Sequence, residues 1–75
     1  MIVALQYYAE DLNQTMSLAR LLADLEPRHR TDITLALVRQ PDTPVTTLTT
    51  DTVRHCEQKF PVIQFASPKG AHGHP

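Results

Sequence analysis

The segment Ile33-Thr34-Leu35-Ala36-Leu37-Val38 decides the fold. It is apolar at every position but Thr34, too short for a buried helix, and bounded by turn-forming sequence, so it reads as a strand. On its N-terminal side lies the polar connection from Arg28 to Asp32. On its C-terminal side Gln40-Pro41-Asp42-Thr43-Pro44 is a loop marked by two prolines. Two further apolar runs flank it at a distance, Ile2-Val3-Ala4-Leu5 and Val62-Ile63-Gln64-Phe65-Ala66. The first is apolar at successive positions rather than alternating. Such runs suit strands covered on both faces, as in parallel sheets.

The intervals between the runs have helical character. Asp11 looks like an N-cap with Gln14 three residues on, a variant capping-box spacing. From Leu12 onward Leu18, Leu21, Leu22 and Leu25 share one side, with Met16 and Ala19 near it, while Asn13, Ser17, Arg20 and Asp24 form a polar stripe. Pro27 stops the pattern after Glu26, which predicts a helix over 11–26. The second interval is crowded with threonine, a poor helix former. Yet Leu48, Val53, Cys56 and Phe60 recur at nearly helical spacing, which predicts a helix over about 46–59.

The resulting order, β-α-β-α-β, predicts a three-stranded parallel sheet with two helices and right-handed crossovers. This is an α/β arrangement, half of an open three-layer fold: one partial, truncated domain over 1–75, with 67–75 a flexible tail or loop. Two strand orders satisfy it. Order 2-1-3 places the helices on opposite faces. Order 3-2-1 places both on one face and leaves the other bare, which demands more chain, a partner subunit, or both.

Composition narrows the function. The chain has 75 residues, 41% hydrophobic and 20% charged, with net charge −1. A nucleic-acid binder would cluster Lys and Arg on one face, so none is expected as partner. No apolar run approaches the roughly 20 residues of a membrane span. Met1 leads straight into strand-like sequence with no basic start or cleavage site, and the single cysteine, Cys56, fits a reducing compartment; the expected location is cytoplasmic. A chain this short buries only about 60% of the surface its unfolded form exposes, so its stability is marginal.

Ligands of open α/β sheets bind beyond the carboxyl ends of the strands. There the first loop reads Gln6-Tyr7-Tyr8-Ala9-Glu10-Asp11 and contains no glycine. This excludes a dinucleotide-binding turn and a P-loop, both of which need glycine for close approach to phosphates. Tyr7 and Tyr8 could stack on a base or sugar, but the simpler reading has their rings ending a strand. Asp11 reads first as a helix cap. Arg39 could meet a diphosphate through its fork of donors, or stay solvated or paired with Asp42. His55, Cys56, His72 and His74 are metal-ligand types, but His55 and Cys56 are neighbours on a helix and point apart. A buried structural cysteine with exposed histidines is the expectation, and no metal site is predicted. Lys69-Gly70 alone carries no phosphate site.

The glycine-free acidic loop after strand one resembles the start of the nucleotide-diphospho-sugar transferase fold, the GT-A type glycosyltransferases. The stretches that carry the likeness are Ile2 to Tyr8, the helix from Asp11, the strand Ile33 to Arg39, and Phe60-Pro61-Val62-Ile63. Lys69-Gly70-Ala71-His72-Gly73-His74-Pro75 is similar to the Gly-rich segment before the next helix. The likeness covers nearly all 75 residues, which would be the first third of such an enzyme. It implies sugar transfer from a nucleotide-sugar donor with a divalent metal, both engaged only by a longer chain. The implied nucleotide-binding residues are Gln6, Tyr7, Tyr8, Asp11 and Arg39. The metal motif and catalytic base would lie beyond Pro75, and Val38-Arg39-Gln40-Pro41-Asp42 lacks the usual acidic, serine-containing segment. No catalytic residue and no cofactor are therefore expected within this chain. The alternative is a small non-enzymatic α/β protein that acts by self-association or by binding other proteins, as a homo-oligomer joined through an exposed sheet face or edge.

Overall fold

The structure, a computed structural model, describes residues 1–69. Strand β1 (Ile2–Tyr7) leads through a 3-10 turn at Ala9–Asp11 into helix α1 (Leu12–Ala23). A second 3-10 turn at Pro27–His29 precedes β2 (Thr34–Arg39), helix α2 (Thr47–Glu57) and β3 (Val62–Ala66). All pairing is parallel and the spatial order is β1-β2-β3. This is the 3-2-1 arrangement. Right-handed crossovers then place both helices on one side, where they pack against each other.

The helices are shorter than their sequence pattern suggests. Pro27 has no N–H to offer Ala23, so α1 cannot run on to Glu26. Instead the Asp24 N–H bonds Arg20 O at 2.9 Å and closes the helix. Asp11 does not cap α1 with its side chain. Its Oδ1 accepts from Tyr8 N at 2.9 Å and closes the preceding 3-10 turn.

The threonines of α2 turn out to favour the helix. Thr46 Oγ1 accepts from Thr49 N as the N-cap, and Thr52 Oγ1 donates to Leu48 O at 2.7 Å. Back-bonding to the carbonyl four residues earlier lets a hydroxyl enter a helix interior without an unpaired polar group. Thr49, Thr52, Val53 and Cys56 are buried, at spacings of three, one and three, so the threonines share the core side of α2.

The apolar face of α1 differs from the expected one. Met16, Ala19 and Ala23 are fully buried, whereas Leu18, Leu21 and Leu25 are exposed. The reason is close helix packing. At Ala19 and Ala23 there is no side chain to hold α2 away, and Cys56 Sγ reaches Ala19 O at 3.5 Å. The leucines, too large for that seam, stand on the opposite flank.

Between helices and sheet the core gathers Tyr7, Ile33, Leu35, Leu37, Val53 and Phe60 around the Met16 side chain. Register sorts the two faces. Val3, Leu35 and Val62 align across the sheet, as do Leu5, Leu37 and Gln64, all on the helix side. The opposite parity, Ala4-Ala36-Ile63 and Gln6-Val38-Phe65, has no layer over it among the described residues. Leu35 and Leu37 thus belong to the core, and Val3 and Leu5 are partly covered.

Candidate functional site

Two regions compete for a functional role: the carboxyl end of the sheet and its open face. At the carboxyl end the structure places Gln6, Tyr7, Tyr8, Asp11 and Arg39 near one another. Gln6 Oε1 accepts from Gln40 Nε2 at 3.4 Å. Tyr7 is buried, and burial pushes its phenol up from the ordinary tyrosine range, partly opposed by the charge of Arg39. Tyr8 is exposed beside it. Arg39 sits opposite Tyr7 in the ladder and donates from Nη1 to Thr43 O at 2.9 Å. It therefore holds the loop after β2 and does not pair with Asp42.

Asp42 has a different partner. Lys69 Nζ lies 3.0 Å from its Oδ1, joining the loop after β2 to the one after β3. Asp42 also adopts φ 65°, in the left-handed region that aspartate tolerates better than most residues. Nothing in the sequence pairs residues 27 positions apart, so this closure was not legible there. The end of the sheet is a closed set of mutual contacts whose donors and carboxylates are largely engaged with one another. His72 and His74, with Gly70, lie outside the described residues.

The metal-ligand types behave as structural groups. Cys56 is fully buried, and burial raises its thiol above the usual range, with Arg20 opposing and Asp24 and Glu57 adding to the shift. His55 Nε2 lies 2.8 Å from Asp24 Oδ1 and bridges the two helices. No three of His, Cys, Asp or Glu converge as a metal site among the described residues. An open groove of about 250 Å³ runs between α2 and β3, lined by Val45, Thr49, Val53, Arg54, Glu57 and Gln64 among others. Its lining mixes both charges with small apolar groups and shows no convergent set of polar atoms.

The open face is chemically simpler. It presents Ile2, Ala4, Ala36, Val38, Ile63 and Phe65. Ile2 is 71% exposed, Phe65 53% and Ile63 42%. The remaining members of the face, Gln6 and Thr34, are polar but uncharged, so no formal charge lies on it. Solvent-facing sides of sheets are normally polar, and the exposed Ile2, Ile63 and Phe65 depart from that pattern. The sequence expectation for a bare face names Val3, Leu5, Leu35, Leu37, Ile63 and Phe65; the register puts Ile63 and Phe65 there and the other four on the helix side.

No helix among the described residues is long and apolar enough to cross a membrane. No protein-family model, curated protein or solved structure matches the chain.

Proposed function

We propose that this chain is a self-association module, with its open sheet face packed against the same face of a second copy. The observation that carries this is the exposure of Ile2 on β1 and of Ile63 and Phe65 on β3, all on one uncharged face. Two such faces stack at about 10 Å, as in sandwich cores, with the helices outside. No charge has to be desolvated, so apolar burial at about 25 cal/mol per Å² is little opposed. Sedimentation velocity over a wide concentration range tests it. Phe65→Lys should weaken assembly, because it places a charge in the buried layer. A folded Phe65→Lys variant that assembles as well as the wild type refutes the face reading.

A second reading rests on the meeting of Gln6, Tyr8, Asp11 and Arg39 at the carboxyl end of the sheet, where α/β proteins bind ligands. In this reading the chain is the donor-nucleotide half of a glycosyltransferase-like enzyme. A nucleotide-sugar and a divalent metal would be held only with further strands. Calorimetric titration of a longer chain carrying those strands with uridine and guanosine diphosphates, with and without manganese, discriminates the two. The association reading expects no heat from binding. Micromolar affinity abolished by Asp11→Ala would establish the nucleotide reading.

A further inference from the structure

We infer that a second copy also docks along the outer edge of β1, joining two sheets into one of six strands. This deepens the self-association reading, because it adds area to a face contact that is small by itself. A three-stranded face is about 14 Å wide and 17 Å long, roughly 240 Å² in plan. A stable interface buries about 800 Å² of accessible surface per partner. Two faces joined edge to edge double the plan area. A corrugated, side-chain-covered surface exposes more than its plan and comes within reach of that requirement.

The edge is built for such a junction. β1 pairs only with β2 among the described residues. The ladder runs from Thr34 N to Met1 O and from Gln40 N to Tyr7 O. With this phase Val3, Leu5 and Tyr7 turn their backbone groups to β2, and Ile2, Ala4 and Gln6 turn theirs outward. No residue of β1 is charged, so a twofold axis at Ala4 apposes no like charges. Antiparallel pairing about that axis sets Ala4 against Ala4 and Ile2 of each copy against Gln6 of the other.

The helix layer matches. Leu18 and Leu21, on the flank of α1 away from Ala19 and Ala23, are 47% and 64% exposed. At about 100° per residue, Gln14 and Leu22 fall beside them, so this flank carries no charge. The charged Arg20 and Asp24 lie on the α2 side, where Asp24 meets His55. α1 packs on β1 but leaves Val3 and Leu5 only partly covered. A twofold axis normal to the sheet keeps both α1 helices on one side, and each leucine flank then covers the other and the half-open Val3 and Leu5. β3 is also an uncharged edge strand, but the groove between it and α2 carries Arg54 and Glu57, where the β1 side has the uncharged Leu18 and Leu21.

Sedimentation velocity and hydrogen exchange test the assignment. Leu21→Glu puts a charge on the exposed flank. Ala4→Pro removes one outward N–H and no ladder bond. Circular dichroism verifies that each variant is folded. The wild type should reach a tetramer, both contacts being used. Either edge variant should stop at a dimer, with the tetramer dissociation constant weakened at least about tenfold. Phe65→Lys should also stop at a dimer, and Phe65→Lys with Leu21→Glu at a monomer. In the wild type the Ala4 and Gln6 amides should gain protection as concentration rises. A wild-type dimer dissolved by Phe65→Lys but by neither edge variant overturns the edge contact and keeps the face contact. A dimer dissolved only by the edge variants does the reverse. Ala4 and Gln6 amides that exchange freely in the assembled protein overturn the edge contact without any variant. A wild type that stays monomeric throughout overturns both.

Discussion

Truncating Met16 to alanine should cost far more than truncating Leu21, although both lie on α1 and the leucine is the more conventional core residue. Met16 is fully buried between the helices and the sheet, whereas nearly two thirds of Leu21 meets solvent. Deleting a buried methionine side chain costs about 2–5 kcal/mol, transfer and cavity terms together. A domain of this size has about 4–11 kcal/mol in all at typical values per residue. Met16→Ala should therefore remove about a fifth or more of the stability and lower Tm by about 8–40 °C. Leu21→Ala loses little burial in the monomer and gains slightly in helix propensity, so its change should fall within about 0.5 kcal/mol. Thermal and urea unfolding followed by far-UV circular dichroism, at concentrations where the protein is monomeric, makes the comparison. Equal losses for the two variants would mean that α1 is rotated about its axis. The Ala19 seam and the leucine flank would then both be wrong.

Burial of the Tyr7 phenol and the Cys56 thiol raises both above their ordinary values of 10.0 and 9.0. Each group ionises more readily when unfolded, so stability is full below pH 9 and falls as pH rises through 9 to 10 and beyond. Alkaline denaturation should show this, and Tyr7→Phe should reduce the dependence above pH 10. The native Cys56 thiol should react slowly with Ellman's reagent and at the normal thiol rate once unfolded. At Asp42 the left-handed backbone should accept glycine within about 1 kcal/mol, while Asp42→Val should destabilise by about 1–2 kcal/mol, read by urea unfolding.

The strands were legible because their apolar runs are short, separate and bounded by prolines and polar turns. β2 needed only a shift of one residue, from Ile33 to Thr34 at its start. The strand order was not legible. Both candidate orders satisfy the same crossover handedness, and the choice depends on whether α1 and α2 share a side. The signal for that lay in Ala19, Ala23 and Cys56, small residues that suit two helices in close contact. A periodicity scan weights leucines above alanines, so it turned α1 the wrong way round. Similarly, threonine propensity argued against α2, while the buried Thr49 and Thr52 hydroxyls are satisfied within the helix region itself. At the carboxyl end, the grouping of Gln6, Tyr8, Asp11 and Arg39 follows from topology. Their individual contacts depend on loop geometry that no spacing rule contains.

The open face and the leucine flank have one structural origin. Right-handed crossovers in a sheet ordered β1-β2-β3 send both helices to the same side, so two helices must cover three strands. Small residues at the α1–α2 seam bring the two helices close, with α1 against β1 and α2 against β3. β2 gains most: Leu35 and Leu37 are fully buried, and even Ala36 on the open face is shielded by its larger neighbour Ile63. On β1 the cover is partial, Val3 and Leu5 being half-buried, and Leu18 and Leu21 of α1 face out. A monomer could correct this with polar residues at Leu18, Leu21, Ile2 and Phe65, positions that constrain nothing in its own core. This chain keeps all four apolar, on two surfaces that both lack charge. In the assembly we propose, these four positions are the contact residues.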